Sequence, residues 1–395
     1  MPLDLAALGP QLTRFAAHAQ AQAPRERTRL ESVLEILGRH AGRHADLAEL
    51  AEGRQTPFRA ARPLERLDRR HPRAGTPEDY TVVATDGSQI EPDRHGPVLC
   101  HLINVGSALI QYGRAARAQL ASEPMLRYAP GEVSIARQGR EPVLIQDRLL
   151  GLMRHVAETG RLADLSEGVS RDRPVVGLQD GTLLLSSWGR GSETHVLEEV
   201  VQQFLICLDR LKAASVPLAS YISRPRSSDV VNTLRLADCP YEAAECASCG
   251  GGEASASICQ ELIDLPDRLV FEALPLADGE RSALFASSWS TSTKLYREHE
   301  IQFFYVNVGS EVARVEVPRW VAANPSSLDL VQTVVVDQCR RGQGYPRVLI
   351  EAHEKAVITA GDRRLFTTLI EQALAGAGVS AATSQKAASK RLRGL

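Results

Sequence analysis

Two aspartates stand in matching settings along the chain. Asp86 follows the apolar, β-branched run of "YTVVATDGSQI", and Asp180 follows that of "PVVGLQDGTLLL". Each closes an apolar strand pattern, and each precedes a glycine and a hydroxyl residue. An Asp-Gly step is a common hairpin turn, because both residues tolerate positive φ. Unrelated turns are therefore one reading. The other places both at strand ends of one α/β sheet, where side chains are held rigidly and converge on a crevice. Carboxylates brought together repel, and one of them tends to keep a proton. A hard divalent cation such as Mg²⁺ or Mn²⁺ removes that conflict, since it prefers oxygen ligands. Paired ions about 3.5–4 Å apart can activate water and stabilise the leaving oxygen of a phosphodiester. On this reading Asp86 makes a turn and also grips a cation there.

The elements that must position these residues follow from hydrophobic spacing. Residues 1–55 carry apolar positions at helical intervals, interrupted at Pro10 and Pro24, and 57–79 is a proline- and arginine-rich linker or arm. Strands are expected at "YTVVATDG", "PVLCHLINVGSALI" and "PVVGLQDGTLLL", with a helix over 145–168 between the last two. A helix at "ETHVLEEVVQQFLICLDRLKAAS", a strand at "PLASYIS", a strand pair over 301–317 and helices to the C-terminal side complete an alternating α/β pattern. No internal repeat is present.

At 395 residues, with 44% hydrophobic and 24% charged residues, the chain has ordinary globular composition. The formal net charge of −2 argues against a surface coated for wrapping nucleic acid, though not against a local basic channel. No apolar run is long enough for a bilayer, and the N-terminus lacks a basic patch followed by an apolar segment, so no membrane is expected and a cytoplasmic location is.

Cys239, Cys246, Cys249 and Cys259 lie in the Gly/Ser/Ala-rich stretch 239–263, with one close pair of the zinc-ribbon kind. They could hold a structural Zn²⁺, or the stretch could be a loop with unligated thiols. Cys100, Cys207 and Cys339 sit in apolar stretches and read as core.

"VVATDGSQI", "VVGLQDGTLLL", "SYISRPRSSDVVNTLR" and "GQGYPRVLIEAHEKAVI", in that order, resemble the NurA nucleases over about residues 80–375. The resemblance implies an RNase H-like mixed sheet flanked by helices. With the composition along the chain, it divides the sequence into a helical N-terminal region and linker (1–79), a nuclease domain (80–380) with the Cys-rich insertion (239–263), and a basic tail (381–395). It implies a Mn²⁺-dependent, two-metal deoxyribonuclease, with Mg²⁺ as an alternative ion. That enzyme would trim DNA 5′ to 3′ and cut single strands during end resection of double-strand breaks. It would act as a ring-shaped homodimer beside a HerA-type hexameric translocase.

Carried over residue by residue, the resemblance makes Asp86 and Asp180 metal ligands and places His353 of "EAHEKA" in the site. Glu351 and Glu354 stand as substitutes for His353. A glutamate is expected from the helix before the Asp180 strand. Glu158 is assigned, four residues after Arg154 on the same helix face, with Asp164 and Glu167 as competitors. Lys294 and Arg224 have the charge to contact phosphates, and Tyr345 could stack on a base or orient the scissile phosphate.

Two rival functions remain at this level. An actin-like ATP phosphotransferase also places acidic, Gly and hydroxyl residues at strand ends, but spaces them Asp-x-Gly. A non-catalytic subunit docking on a translocase would not need Asp86 and Asp180 intact. The helical N-terminus and the 301–317 strand pair are the expected partner surfaces.

Overall fold

A computed structural model describes residues 4–54, 56, 58–94, 96–137, 140–185, 194–239, 259–287 and 295–379. The chain forms two compact units, each assembled from separate segments. One comprises Ala74–Ile222, Lys294–Ile301 and Glu316–Leu395; the other comprises Met1–Arg73, Ser223–Thr293 and Gln302–Val315.

The first unit holds strands β1 (Tyr80–Ile90), β2 (His101–Tyr112) and β3 (Arg117–Arg127), helix α1 (Asp147–Glu167), strand β4 (Val175–Asp180), helix α2 (Thr194–Ala213), strand β5 (Leu218–Ile222) and helices α3 (Pro325–Arg341), α4 (Arg347–Ala356) and α5 (Ala360–Gly376). In this unit's sheet the strand order is β3-β2-β1-β4-β5. The β1–β2 and β2–β3 pairs are antiparallel, whereas β4 runs parallel to both β1 and β5. This mixed α/β sheet agrees with the RNase H-like core that the sequence implies.

Burial explains the layering. β1 is buried on both faces from Tyr80 to Thr85 and opens from Asp86 onward. In α1 the positions Glu158, Thr159, Leu162, Ala163 and Ser166 lie at helical spacing on the inward face, so the same stripe that carries Leu162 into the core carries Glu158 with it. Leu162, Phe204, Leu208, Leu218 and Tyr296 are among the fully buried side chains that pack this layer. On the other side α4 packs against β1, β2 and β3.

The second unit builds its core from Val33, Ile36, Leu37, Val231, Phe271, Phe285, Phe303 and Tyr305. Its helix Gly9–His40 runs through Pro24, against expectation. Pro10 occupies the first helical turn, where no N–H is needed, and Ala-, Gln-, Glu- and Arg-rich turns on both sides of Pro24 favour continuation. The segment read as a linker contributes short strands: Ala61–Pro63 pairs antiparallel with Phe285–Ser287, and Arg70–His71 with Arg281–Ser282.

The strand pair Ile301–Asn307 and Val312–Pro318 is present. It is almost wholly buried within the chain and so does not offer the open partner surface expected of it. Among the described residues no helix is long and apolar enough to cross a membrane.

Candidate active site

Asp86 does not make a turn. It lies inside β1, opposite Gly106 of β2, and the antiparallel ladder continues past it to Ile90. The expectation fails because this glycine serves clearance rather than positive φ. A Cβ built on Gly87 would lie 2.4 Å from Glu158 Oε1 and 2.9 Å from Arg154 Cγ. The missing side chain leaves the gap through which Glu158 reaches the sheet. At the second step Gly181 has φ +79° with open space around it, so there the glycine does make the turn.

The parallel β1–β4 register pairs Thr85 with Gln179, which sets Asp86 and Asp180 on neighbouring strands, about 4.8 Å apart in the sheet. Thr85 and Gln179 face α1: Thr85 Oγ1 donates to the Glu158 carbonyl at 2.9 Å, and Gln179 bonds to Thr159. The alternation of a strand therefore turns both aspartates toward the opposite face. There Tyr345 Oη donates to Asp180 Oδ1 at 2.6 Å, and His353 Nδ1 donates to Asp86 Oδ2 at 2.6 Å.

Helix α4, which carries His353, is seated by backbone clearance and by polar clamps. A Cβ on Gly106 would lie 2.2 Å from the Ala352 carbonyl oxygen, so only glycine lets the helix come this close. The Ser88 hydroxyl donates to the Ala356 carbonyl, and Asn104 Nδ2 donates to the carbonyls of Lys355 and Ala356 at 3.2 and 2.9 Å. The turn after Asp180 is held in the same manner. Glu316 accepts from Thr182 Oγ1 at 2.8 Å and from the Leu183 N–H at 2.9 Å, and Tyr296 Oη bridges the Leu183 carbonyl and the Leu185 N–H.

Electrostatics couple Glu158 and Asp180 to Asp86. Glu158 is buried, and its carboxyl is pushed up to about 8, first by burial and then by the nearby charges of Asp86 and Asp180, with Arg154 pulling it partly back. Asp180 is solvent-accessible at its strand end, yet the surrounding walls raise it above its usual range, and Asp86 adds to the push. Burial and the Asp180 charge hold the Tyr345 phenol neutral, as a donor.

Glu158 Oε1 is buried without a hydrogen-bond partner, although Arg154 Nε stands 3.2 Å away. Glu158 lies near enough to both aspartates for their charges to raise its carboxyl, and three carboxylates with one imidazole are donors that suit a hard divalent cation.

The competitors are committed elsewhere. Asp164 and Glu167 both bind Arg210, at 2.7 and 2.8 Å. Glu351 pairs with Arg347, and Glu354 is exposed. Arg224 belongs to the other unit, exposed, with its N–H donating to Glu311 at 2.9 Å. Lys294, Cys246 and Cys249, like the tail 381–395, lie outside the described residues. Cys239 and Cys259 are partly buried, and Arg235 Nη2 donates to Cys259 Sγ at 3.5 Å. Cys100, Cys207 and Cys339 are buried, as expected of core residues.

Among the described residues, a group whose donor atoms all lie within 4.8 Å of one another is Asp209, Glu298 and His299; no three of the donors of Asp86, Glu158, Asp180 and His353 are gathered that closely. Lys212 already pairs with Glu298 there, so a cation's place is in part taken. Sequence reading also missed His155, Thr159 and Gln179, which surround Glu158. Their signal was available: His155 and Thr159 share the helix face of Glu158, and Gln179 adjoins Asp180.

A NurA domain matches residues 80–358, a span that includes Asp86, Glu158, Asp180, Tyr345 and His353. Comparison with curated proteins gives no match. One similar solved structure is titled "Crystal structure of LC9-RNase H1, a type 1 RNase H with the type 2 active-site motif"; it is 16% identical, with a TM-score of 0.20, covering 41% of this chain and 72% of that one. The matched domain spans most of the chain, which therefore belongs to the NurA family, a family of nucleases.

Proposed function

We propose that the chain is a divalent-metal-dependent deoxyribonuclease, with Mn²⁺ as its working ion and Mg²⁺ as a weaker substitute. Asp86, Glu158 and Asp180 hold the metal, and His353 completes the site. The observation that carries this reading is the close approach of buried Glu158 to Gly87, within reach of the charges of Asp86 and Asp180 on adjacent parallel strands. Nothing about a hairpin turn or a solvated ion pair requires that approach.

When bound, the ions supply an activated water and charge stabilisation for the leaving oxygen of a phosphodiester. The chain's own groups do the rest. His353 Nδ1 is spent on Asp86, which leaves Nε2 on the exposed side of the ring to ligate or to pass a proton. Tyr345 stays protonated, orients Asp180, and presents a neutral phenol beside the path of a phosphate. Arg154, partly exposed, pairs with Glu158 on the next turn of α1. Lys294 and Arg224 contribute phosphate contacts along the DNA.

The family membership supports 5′-to-3′ trimming and single-strand cutting in end resection, with a HerA-type translocase delivering DNA to a homodimeric ring. Exposed Leu12 and Phe15 on the N-terminal helix, at 60% and 70% accessibility, give such a partner an apolar surface to cover. Only the lumen of a ring need be basic, which accommodates the mildly acidic net charge. A structural Zn²⁺ at Cys239, Cys246, Cys249 and Cys259 is a separate proposal, tested by metal analysis of the purified protein.

The function is tested on end-labelled DNA with Mn²⁺, Mg²⁺ or chelator, with and without ATP, beside Asp86→Ala. Metal-dependent cutting without ATP, lost in the variant, is the expected result. ATP consumption without DNA cutting would instead favour the phosphotransferase, and absence of both activities the docking subunit.

A further inference from the structure

Behind Glu158 lies a buried polar group that the proposed chemistry does not use. Thr159 and Gln179 are fully buried, and the His155 side chain is nearly so. Gln179 Nε2 donates to Thr159 Oγ1 at 2.9 Å and stands 3.4 Å from His155 Nε2. Thr159 Oγ1 in turn donates to the His155 carbonyl at 2.9 Å. An amide N–H facing His155 Nε2 makes that nitrogen an acceptor, so the ring's proton sits on Nδ1. His155 Nδ1 stands 3.6 Å from Glu158 Oε2, while Oε1 lies against Gly87 and Arg154.

From this arrangement we infer that His155, with its tautomer set by Gln179, is a positioning residue that engages one oxygen of Glu158 and leaves the other for the metal. Gln179 occupies the strand position beside Asp180, so a single amide ties the α1 acid to the β4 acid and fixes their spacing. A carboxylate on a helix has rotamer freedom that a strand-end aspartate lacks, and it is the ligand most in need of such a hold. Second-shell partners of this kind orient ligands and tune their affinity. The inference rests on the metal-dependent reading above.

The test measures free Mn²⁺ by electron paramagnetic resonance during titration of the full chain, together with kcat, KM for DNA, and melting. His155→Phe fills the ring's space without its donor, and His155→Asn keeps an N–H near the position of Nδ1. Expected are Mn²⁺ binding about 10–100-fold weaker in His155→Phe and near wild type in His155→Asn. The loss should fall on kcat, with KM for DNA little changed. Folded His155→Phe that binds Mn²⁺ as wild type does overturns the inference, and so does an equal loss in both variants.

Should His155→Phe not fold, His155→Gln carries the same test, because it keeps a polar group facing Gln179 and none at the position of Nδ1. Weakened Mn²⁺ binding at near-native melting temperature supports the inference, and unchanged binding overturns it. Wild-type protein that binds no Mn²⁺ would strike the metal reading itself, and this inference with it.

Discussion

The chain uses Asp-Gly twice at its candidate site, for different physical reasons. At Asp86-Gly87 the backbone is an ordinary strand, and the glycine is there because a side chain would collide with Glu158 and Arg154. At Asp180-Gly181 nothing stands near a built Cβ, but φ is +79°, a conformation that glycine adopts at little cost. The first step makes room for a ligand, and the second ends a strand and turns the chain. Identical dipeptides thus serve function in one place and backbone geometry in the other. Activity and stability should respond oppositely to their disruption.

The widest split between activity and stability should come from Gly87→Ala. The added methyl meets flexible side chains rather than backbone, so the protein should fold with a modest loss of stability. Glu158 is displaced, however, and a misplacement on the order of 1 Å costs about 100-fold in rate. Nuclease assays beside thermal melts would read the split. Melting lowered strongly with activity kept would break the comparison.

Glu158→Gln should abolish cutting while stabilising the metal-free protein at alkaline pH. The Glu158 carboxyl rises from 4.5 to about 8 on folding, so the folded state holds a proton that the unfolded state has lost between those values. That contribution to stability is complete below pH 4.5 and is lost as pH climbs through 8. Melting of the metal-free wild type should therefore fall relative to Glu158→Gln across that window. The variant should melt higher by roughly 2 °C or more at pH 8.5. The same wild-type group makes Mn²⁺ binding tighten with rising pH, since the ion must displace the proton.

Gly181→Ala should show the reverse balance to Gly87→Ala: a stability loss of about 1–2 kcal/mol from the left-handed backbone, with activity reduced far less. Gly181→Asn should recover part of it, because Asn tolerates that region. The smallest change belongs to Thr182→Val, which removes the hydroxyl that donates to Glu316 and should cost about 1 kcal/mol in denaturant melts. An effect of Thr182→Val on activity as large as that of Gly87→Ala would mean that the Asp180 turn, not the Glu158 approach, limits the site.

The two aspartates were legible in the sequence because strand-end acids leave an apolar run that stops at a carboxylate. Glu158 was harder to find. Its helix carries Asp164 and Glu167 as well, and sequence spacing does not say that Arg210 takes both of them. Asp86 reads as a turn in the sequence because Asp-Gly is compatible equally with positive φ and with close approach, and only a neighbour in space separates the two.

β3 escaped notice for another reason. "RAQLASEPMLR" lies at the outer end of this unit's sheet order, largely exposed, and shows no clean alternation of apolar and polar residues. His155 and Gln179 read as unremarkable polar residues until the α1–β4 packing encloses them. Helix–sheet packing, rather than local pattern, decides which polar groups are buried together.

The account stands on Asp86, Glu158 and Asp180 sharing divalent cations, and crystals soaked in Mn²⁺ test that most directly through anomalous scattering. The predicted result is strong density between these three carboxylates, weakened or absent in Gly87→Ala crystals. Density confined to Asp209, Glu298 and His299, with none beside Asp86, would contradict it.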